Sequence, residues 1–281
     1  MSHEAALCSH FLSYKIKKFM SERIRFLNTA IDDLSMEETV GKVAEAVRED
    51  RQIHHTVVNA GKIVSLQRDL QLRESVNKSD IINADGQAVV WASRILGIPL
   101  KERVAGIDLF IHLLDWAYYN KVKVYLLGAE PKVIKEMADR LSLKYSHELI
   151  AGYHHGYFKK EEEKEIVENI VNSGAHFLFV AMSSPRKEIF LYRYRKKLTK
   201  LNFIMGVGGS FDVLAGKVKR APVWMQKSGF EWFYRFLQEP KRMWKRYLIG
   251  NIKFIFLVIR EKWRNRHQRK EKYKIKASAP F

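Results

Sequence analysis

Between residues 36 and 216 the apolar residues keep switching between two periods, and this alternation restricts the fold more than any other feature. Short runs at 55–59, 80–83, 123–127, 148–151, 177–181 and 202–207 have the length and the branched or aromatic content of buried strands. Amphipathic stretches at 60–76, 88–96, 107–119, 133–143, 161–172 and 186–198 lie between them, with apolar residues at helical spacing. Pro131 and Pro185 stand where helices would begin, a position that suits a residue with no N–H to leave unpaired. Strand and helix in alternation predict an α/β fold with a mostly parallel sheet covered by helices. Ligands of such sheets bind beyond the C-terminal ends of the strands.

Polar or glycine residues follow several of those ends: Asn59, Asp85-Gly86, Gly128, Ser183-Ser184 and the run from Gly206 to Gly209. Each alone is ordinary turn chemistry; their recurrence at one end of successive strands predicts a shared cleft. Asp85 closes an apolar run, where a carboxylate can accept a proton from an attacking hydroxyl. The dipeptide by itself favours another role, capping the helix that begins near Gln87. Arg103-Val-Ala-Gly106-Ile-Asp108 offers a cation, a turn and an aspartate at a helix N-cap. Arg103 can hold a phosphate or carboxylate, or sit in a surface ion pair. Gly206-Val-Gly208-Gly209-Ser210-Phe-Asp212 follows a strand and opens a helix, where exposed N–H groups can meet phosphate. It lacks the third glycine and downstream acid of a dinucleotide fingerprint.

The charge is unevenly spread. Residues 217–281 hold 19 Lys and Arg against four acids, +15 of the chain's +19. From Pro222 onward Trp224, Trp232, Phe233, Tyr234, Phe236, Trp244 and Trp263 are interleaved with these cations, a pattern suited to an interfacial helix on anionic lipid. A helical subdomain packed on the core, with a solvated basic face, fits the same residues. The charged stretch 262–276 is expected to fray unless a surface orders it. The most apolar stretch, 247–259, is short of the ~20 residues that span a bilayer. No apolar leader core is read in residues 1–20, and the single cysteine, Cys8, excludes an internal disulfide and fits a reducing compartment. The ten histidines, His54-His55 on a strand and His154-His155 in a loop among them, do not have the spacing of a metal site. A basic aromatic tail also suits single-stranded nucleic acid, but no helix-turn-helix, zinc or RNA-recognition signature accompanies it.

Asp85-Gly86, Arg103-x-x-Gly106-x-Asp108, Pro185-x-x-Glu188 and Gly206-Val-Gly208-Gly209-x-Phe211-Asp212-x-x-x-Gly216 occur in that order. Arg220-Ala221-Pro222, Glu231-Trp232-x-Tyr234-Arg235, Glu239-Pro240-x-Arg242 and Arg246-Tyr247 follow. This series resembles the WecG/TagA/CpsF family, glycosyltransferase family 26, from about residue 24 to 259 and most specifically from 206 to 247. The resemblance implies a modified Rossmann-like core of the GT-E class with a basic helical C-terminal appendage. It further implies an inverting, metal-independent transferase with no cofactor, moving a hexose or N-acetylhexosamine-type sugar. The donor would be a UDP-sugar and the acceptor a sugar on undecaprenyl diphosphate, for wall, capsule or exopolysaccharide synthesis. The expected divisions are an extension at 1–22, a catalytic core at 23–216 and an appendage at 217–281 that closes the site and contacts the membrane. Such a protein would be cytoplasmic and peripheral on the inner face of the plasma membrane, bind no nucleic acid, and be able to self-associate. A non-catalytic membrane scaffold on the same fold is the remaining alternative.

Carried over position by position, the resemblance makes Asp85 the general base on the acceptor hydroxyl. Arg235, Arg242 and Arg246, with Lys245 as an alternative, would stabilise charge on the leaving diphosphate. Asn59, Arg103, Gly128, Lys187, Glu188, Gly208, Gly209 and Asp212 would line the substrate pocket. Two positions depart from the family pattern: Val57 stands where threonine is common, and Lys187 where glutamine is common. Lys187 can pair with the carboxylate of an acidic sugar or with donor phosphate, and the sequence favours neither.

Overall fold

The structure is a computed structural model that describes residues 23–227, 229–238, 240 and 249–277. It begins with an antiparallel hairpin, β1 (Arg23–Phe26) and β2 (Thr29–Asp32), which the sequence pattern did not single out. Helix α1 (Met36–Arg48) starts behind a capping box in which Ser35 and Glu38 satisfy each other's backbone N–H groups. Alternation then runs β3 (Ile53–Val58), α2 (Ala60–Leu66), α3 (Leu70–Asn77), β4 (Ile81–Ala84), α4 (Gln87–Ile95), α5 (Gly106–Tyr119) and β5 (Val124–Gly128). It continues through α6 (Pro131–Lys144), β6 (Ile150–His154), α7 (Glu163–Asn172), β7 (Phe177–Ala181), α8 (Arg186–Tyr194), β8 (Phe203–Gly206) and α9 (Ser210–Leu214). Three helices end the described chain: α10 (Val223–Lys227), α11 (Glu231–Gln238) and α12 (Gly250–Ala277).

The six expected strands are all present and form one parallel sheet in the order β4-β3-β8-β7-β5-β6. The amphipathic stretch at 60–76 breaks into α2 and α3. Asp69 caps α3 by accepting the N–H of Leu72, while Arg73 reaches back to the carbonyls of Leu66 and Gln67 and so satisfies the end of α2. Pro131 opens α6 as expected, whereas Pro185 is the N-cap of α8 rather than its first residue.

Alternate strand residues face opposite layers. Val57, Phe179, Phe203 and Met205 pack with α1, α5, α6 and α9 on one side of the sheet. On the other side Val58 and Ile82 pack with α2, α3 and α4, and Leu178, Val180 and Ile204 with α7 and α8. The connections that follow the neighbouring strands β3, β8 and β7 therefore part at the C-terminal end of the sheet. Helices α2 and α8 leave β3 and β7 toward one face, and α9 leaves β8 toward the other. Such divergence opens a crevice at the strand ends, here over β8.

Helix α12 is attached to this core. Phe254 and Val258 are buried in the cluster around α2 and β4. The stretch 262–276, expected to fray, continues the helix to Ala277; Arg, Lys, Glu and Gln are good helix formers, and Glu261 pairs with Arg264 one turn on. Among the described residues, no helix is long and apolar enough to cross a membrane.

Candidate active site

The β3–β4 register pairs Val58 with Ala84, so Asn59 and Asp85 leave the sheet side by side. The Asp85 N–H donates to the Val58 carbonyl at 2.8 Å, which holds that strand end closed. Asn59 caps α2, its Oδ1 accepting the Lys62 N–H at 3.0 Å. Gly86, not Asp85, is the N-cap of α4, so the aspartate stands one residue ahead of the capping position that the dipeptide suggested. The φ of Gly86 is 129°, a conformation that favours glycine, and a Cβ there would lie 3.7 Å from that of Asn59. Asp85 and Asn59 thus share one crowded corner at the carboxyl end of the sheet.

Arg103 is brought to the same corner by backbone pairing. Val104 donates to the Ala84 carbonyl at 2.9 Å, running the loop before α5 alongside the end of β4. The Arg103 guanidinium lies 3.3 Å from Glu231 of α11 and 3.9 Å from Asp108 of α5. Asp108 also pairs with Arg220. It is the third residue of α5, not its N-cap, which is Ala105. Two arginines and two carboxylates therefore tie the C-terminal segments to the loop beside Asp85. The next turn tightens that link. Gly229 has φ 82°, and a Cβ there would meet the Gln87 Cβ at 2.9 Å, so the α10–α11 connection presses on the first turn of α4.

A second charged group fills the crevice over β8. Lys62 of α2 and Lys187 of α8 reach the same Glu188 oxygen, at 2.7 and 2.9 Å, and all three side chains are less than a tenth exposed. Lys62 also donates to the Val57 carbonyl at 2.6 Å, and the Lys187 chain lies against Gly206, where a Cβ would be 2.9 Å away. Burial alone would push the Glu188 carboxyl up, but Lys62 and Lys187 outweigh it and hold the group at about 2. Lys187 is thus built into an internal ion pair, which neither sequence expectation for it included.

Two neutral histidines lie beneath this layer. His55 Nε2 is 2.7 Å from Asn83 Oδ1, and both residues are fully buried. Desolvation lowers His55 to about 4, partly offset by the Asn83 bond, and lowers His54 to about 3, aided by Arg195 and His55. They are interior residues of β3. Among the described residues no three His, Cys, Asp or Glu side chains stand close enough to hold a metal ion.

The glycine loop after β8 lies one strand from Asn59 and two from Asp85. Gly208 has φ 57° with open space where a Cβ would be, and Gly209 caps α9, with Asp212 in its first turn. Gly128 lies four strand spacings from β4, roughly 19 Å at about 4.8 Å each. Its glycine has a packing reason, because a Cβ would collide with the Ala181 backbone of β7. Arg235 is on α11, but its side chain is outside the described residues, as are Arg242, Lys245 and Arg246.

The corner of Asn59, Asp85 and Arg103, the crevice over β8 and the tie from Glu231 all fall within residues 24–268, which match the sequence profile of the glycosyl transferase WecG/TagA/CpsF family. The chain belongs to that family. The glycosyl transferase pattern runs through α11 and into α12, so it takes in both ends of the Arg103–Glu231 pair. Two similar proteins, from Bacillus spizizenii and Bacillus subtilis, are each named N-acetylglucosaminyldiphosphoundecaprenol N-acetyl-beta-D-mannosaminyltransferase. The first is 40% identical over 173 residues, covering 62% of this chain and 66% of the relative. The second is 37% identical over 194 residues, covering 69% and 74%.

Lys62 escaped the sequence reading. A lysine at the third position of a helix, between Gly61 and Ile63, carries no sign that it is inside; its burial depends on α8 closing over β8.

Proposed function

We propose that this chain transfers a hexose or N-acetylhexosamine-type sugar from a UDP-sugar to a polyprenyl-diphosphate-linked sugar, with inversion and without a metal, at the inner face of the plasma membrane. The observation that carries the reading is the place of Asp85: a carboxylate at the carboxyl end of β4, ahead of the helix cap, between Asn59 and the loop of Arg103. In the proposed step an acceptor hydroxyl oxygen attacks the anomeric carbon and its proton passes to Asp85. The bond from that carbon to the donor's phosphate oxygen breaks, and UDP leaves with the electron pair. Fixed cations stabilise the leaving diphosphate in place of a metal; Arg235, Arg242 and Arg246 are assigned that role from the family resemblance. Asn59, Arg103 and the residues over β8, namely Lys187, Glu188, Gly208, Gly209 and Asp212, are assigned to substrate binding. Gly128 remains in that set from the resemblance alone.

The names of the two Bacillus relatives support the acceptor, a sugar on diphosphoundecaprenol. Their mannosaminyl donor is not carried over, because Lys187 occupies a position at the crevice where the family pattern commonly has glutamine. We read residues 217–281 as the segment that closes the site and meets the membrane. Arg103–Glu231 and Asp108–Arg220 support closure. Exposed Trp224 and Phe256 among cations support contact with anionic lipid.

The test is acceptor-dependent UDP release from a panel of neutral and uronic UDP-sugars, with short lipid-diphosphate-N-acetylglucosamine as acceptor and the product linkage determined. Release that rises with acceptor for one donor, with inverted product, is the expected result. No acceptor-dependent release with any donor, while the protein still binds vesicles, would favour the scaffold alternative.

A further inference from the structure

An apolar trough lies on the surface of the described chain. It runs between the outer face of α4, Trp232 of α11 and one side of α12, with a volume of about 770 Å³, within the range of ligand cavities. Trp91 and Ile95 of α4 are each half exposed there, and Ile255, Ile259 and Trp263 of α12 are 55%, 48% and 67% exposed. Contiguous apolar surface of this kind marks an interaction site in soluble proteins. The lining is mostly carbon; Asn251, Lys262 and Arg266 are its polar members.

We propose that this trough holds the isoprenoid chain of the acceptor lipid, next to its diphosphate; the identity of the occupant rests on the function proposed above. Three observations favour a single hydrocarbon chain. The trough begins at the candidate catalytic corner: Ala88, in its wall, is in the first turn of α4 three residues after Asp85, and Trp232 adjoins Glu231, the partner of Arg103. Its shape is concave, whereas a bilayer surface is met by projecting side chains. Ile252 and Phe256 project in that way from α12, 51% and 68% exposed and outside the trough. Its chemistry also disfavours an extended peptide, whose backbone N–H and C=O groups would find few partners there, while Lys262 and Arg266 suit an anionic amphiphile. The acceptor would then be gripped by its tail along α4 and α12, with its sugar delivered to Asp85.

Adjacent residues of α12 make the test specific. Ile255 lines the trough and Phe256 does not, yet both are more than half exposed, so neither substitution empties the core. The probe is a fluorescent farnesyl or geranylgeranyl diphosphate kept below its micelle concentration, with binding read by anisotropy in the absence of vesicles. Ile255→Asp should weaken binding at least about tenfold, and Phe256→Asp should change it less than about twofold. A benzophenone-bearing analogue on the unaltered protein should label peptides of α4 and α12, and unlabelled prenyl diphosphate should compete. Equal effects of the two substitutions, or labelling spread over other surfaces, would overturn the assignment. Saturable labelling of α4 and α12 without sugar transfer would sink the proposed reaction and leave the trough standing. Transfer without such labelling would do the reverse.

Discussion

Replacing Glu188 by glutamine removes the carboxylate that Lys62 and Lys187 share and leaves the shape of the group nearly unchanged. The ammonium groups, 2.7 and 2.9 Å from one carboxylate oxygen, would then lose that shared partner inside the protein. Removing one partner of a buried ion pair costs about 3–5 kcal/mol. The low carboxyl of Glu188 leads to a similar figure. Its fall from 4.5 to about 2, at ~1.4 kcal/mol per pH unit, corresponds to roughly 3 kcal/mol. Because the folded-state value is depressed, that stability is present above about pH 4.5 and is lost as pH falls toward 2. The assay is urea unfolding of the unaltered protein and of Glu188→Gln between pH 6 and 8. A deficit of about 3 kcal/mol, constant over that range, is expected. Lys187→Gln in the same background should restore most of it, since it removes one of the two cations that shared the carboxylate. A loss under about 1 kcal/mol, the range of an exposed ion pair, or a double variant no better than the single one, would refute the reasoning.

Three further outcomes follow from the same structure. His54 and His55, held neutral in the fold at about 3 and 4, take up protons only in the unfolded chain once pH drops below 6.5. Stability should fall by roughly 4 kcal/mol between pH 7.5 and 5 from these two residues, and a flat urea midpoint over that interval would contradict their burial as neutral rings. Gly229→Ala, at φ 82° and against Gln87, should cost about 1–2 kcal/mol and speed proteolysis of the α10–α11 segment; unchanged melting and cleavage would show that the connection does not press on α4. Truncation after Arg260 keeps the buried Phe254 and Val258, so it should reduce vesicle binding more than folding, whereas truncation after Gly229 removes Glu231 and those anchors and should abolish transfer. Equal vesicle binding by the full chain and the longer truncation would remove the lipid role of the last turns.

The parallel sheet was legible because each strand is a short apolar run between amphipathic stretches, and strand and helix in strict alternation argue for parallel strands joined by helical crossovers. The β1–β2 hairpin was not, since each strand is only four residues long, too short for a period to stand out, and β2 is buried along its whole length. Periodicity alone also ran α2 into α3, because the break is made by two polar side chains, Asp69 and Arg73, that hydrogen-bond to backbone. Asp85 and Asn59 could be placed at one end of the sheet from their positions after strands. Their adjacency depended on β3 and β4 being neighbours, which the sequence does not state. The Lys62–Glu188–Lys187 group was hidden for the same reason: it exists only because β8 lies between β3 and β7 and sends its helix to the opposite face.

The proposed transfer turns on Asp85 as the base. The direct measurement is acceptor-dependent UDP release by Asp85→Asn, an isosteric change that removes the proton-accepting charge, with the donor that supports the fastest turnover of the unaltered protein. The predicted result is a rate lower by ~10²–10⁴-fold, the span of general-base contributions, with unchanged unfolding midpoint and UDP affinity. Near-normal turnover by that variant would contradict the claim and move the search for the base elsewhere in the crevice.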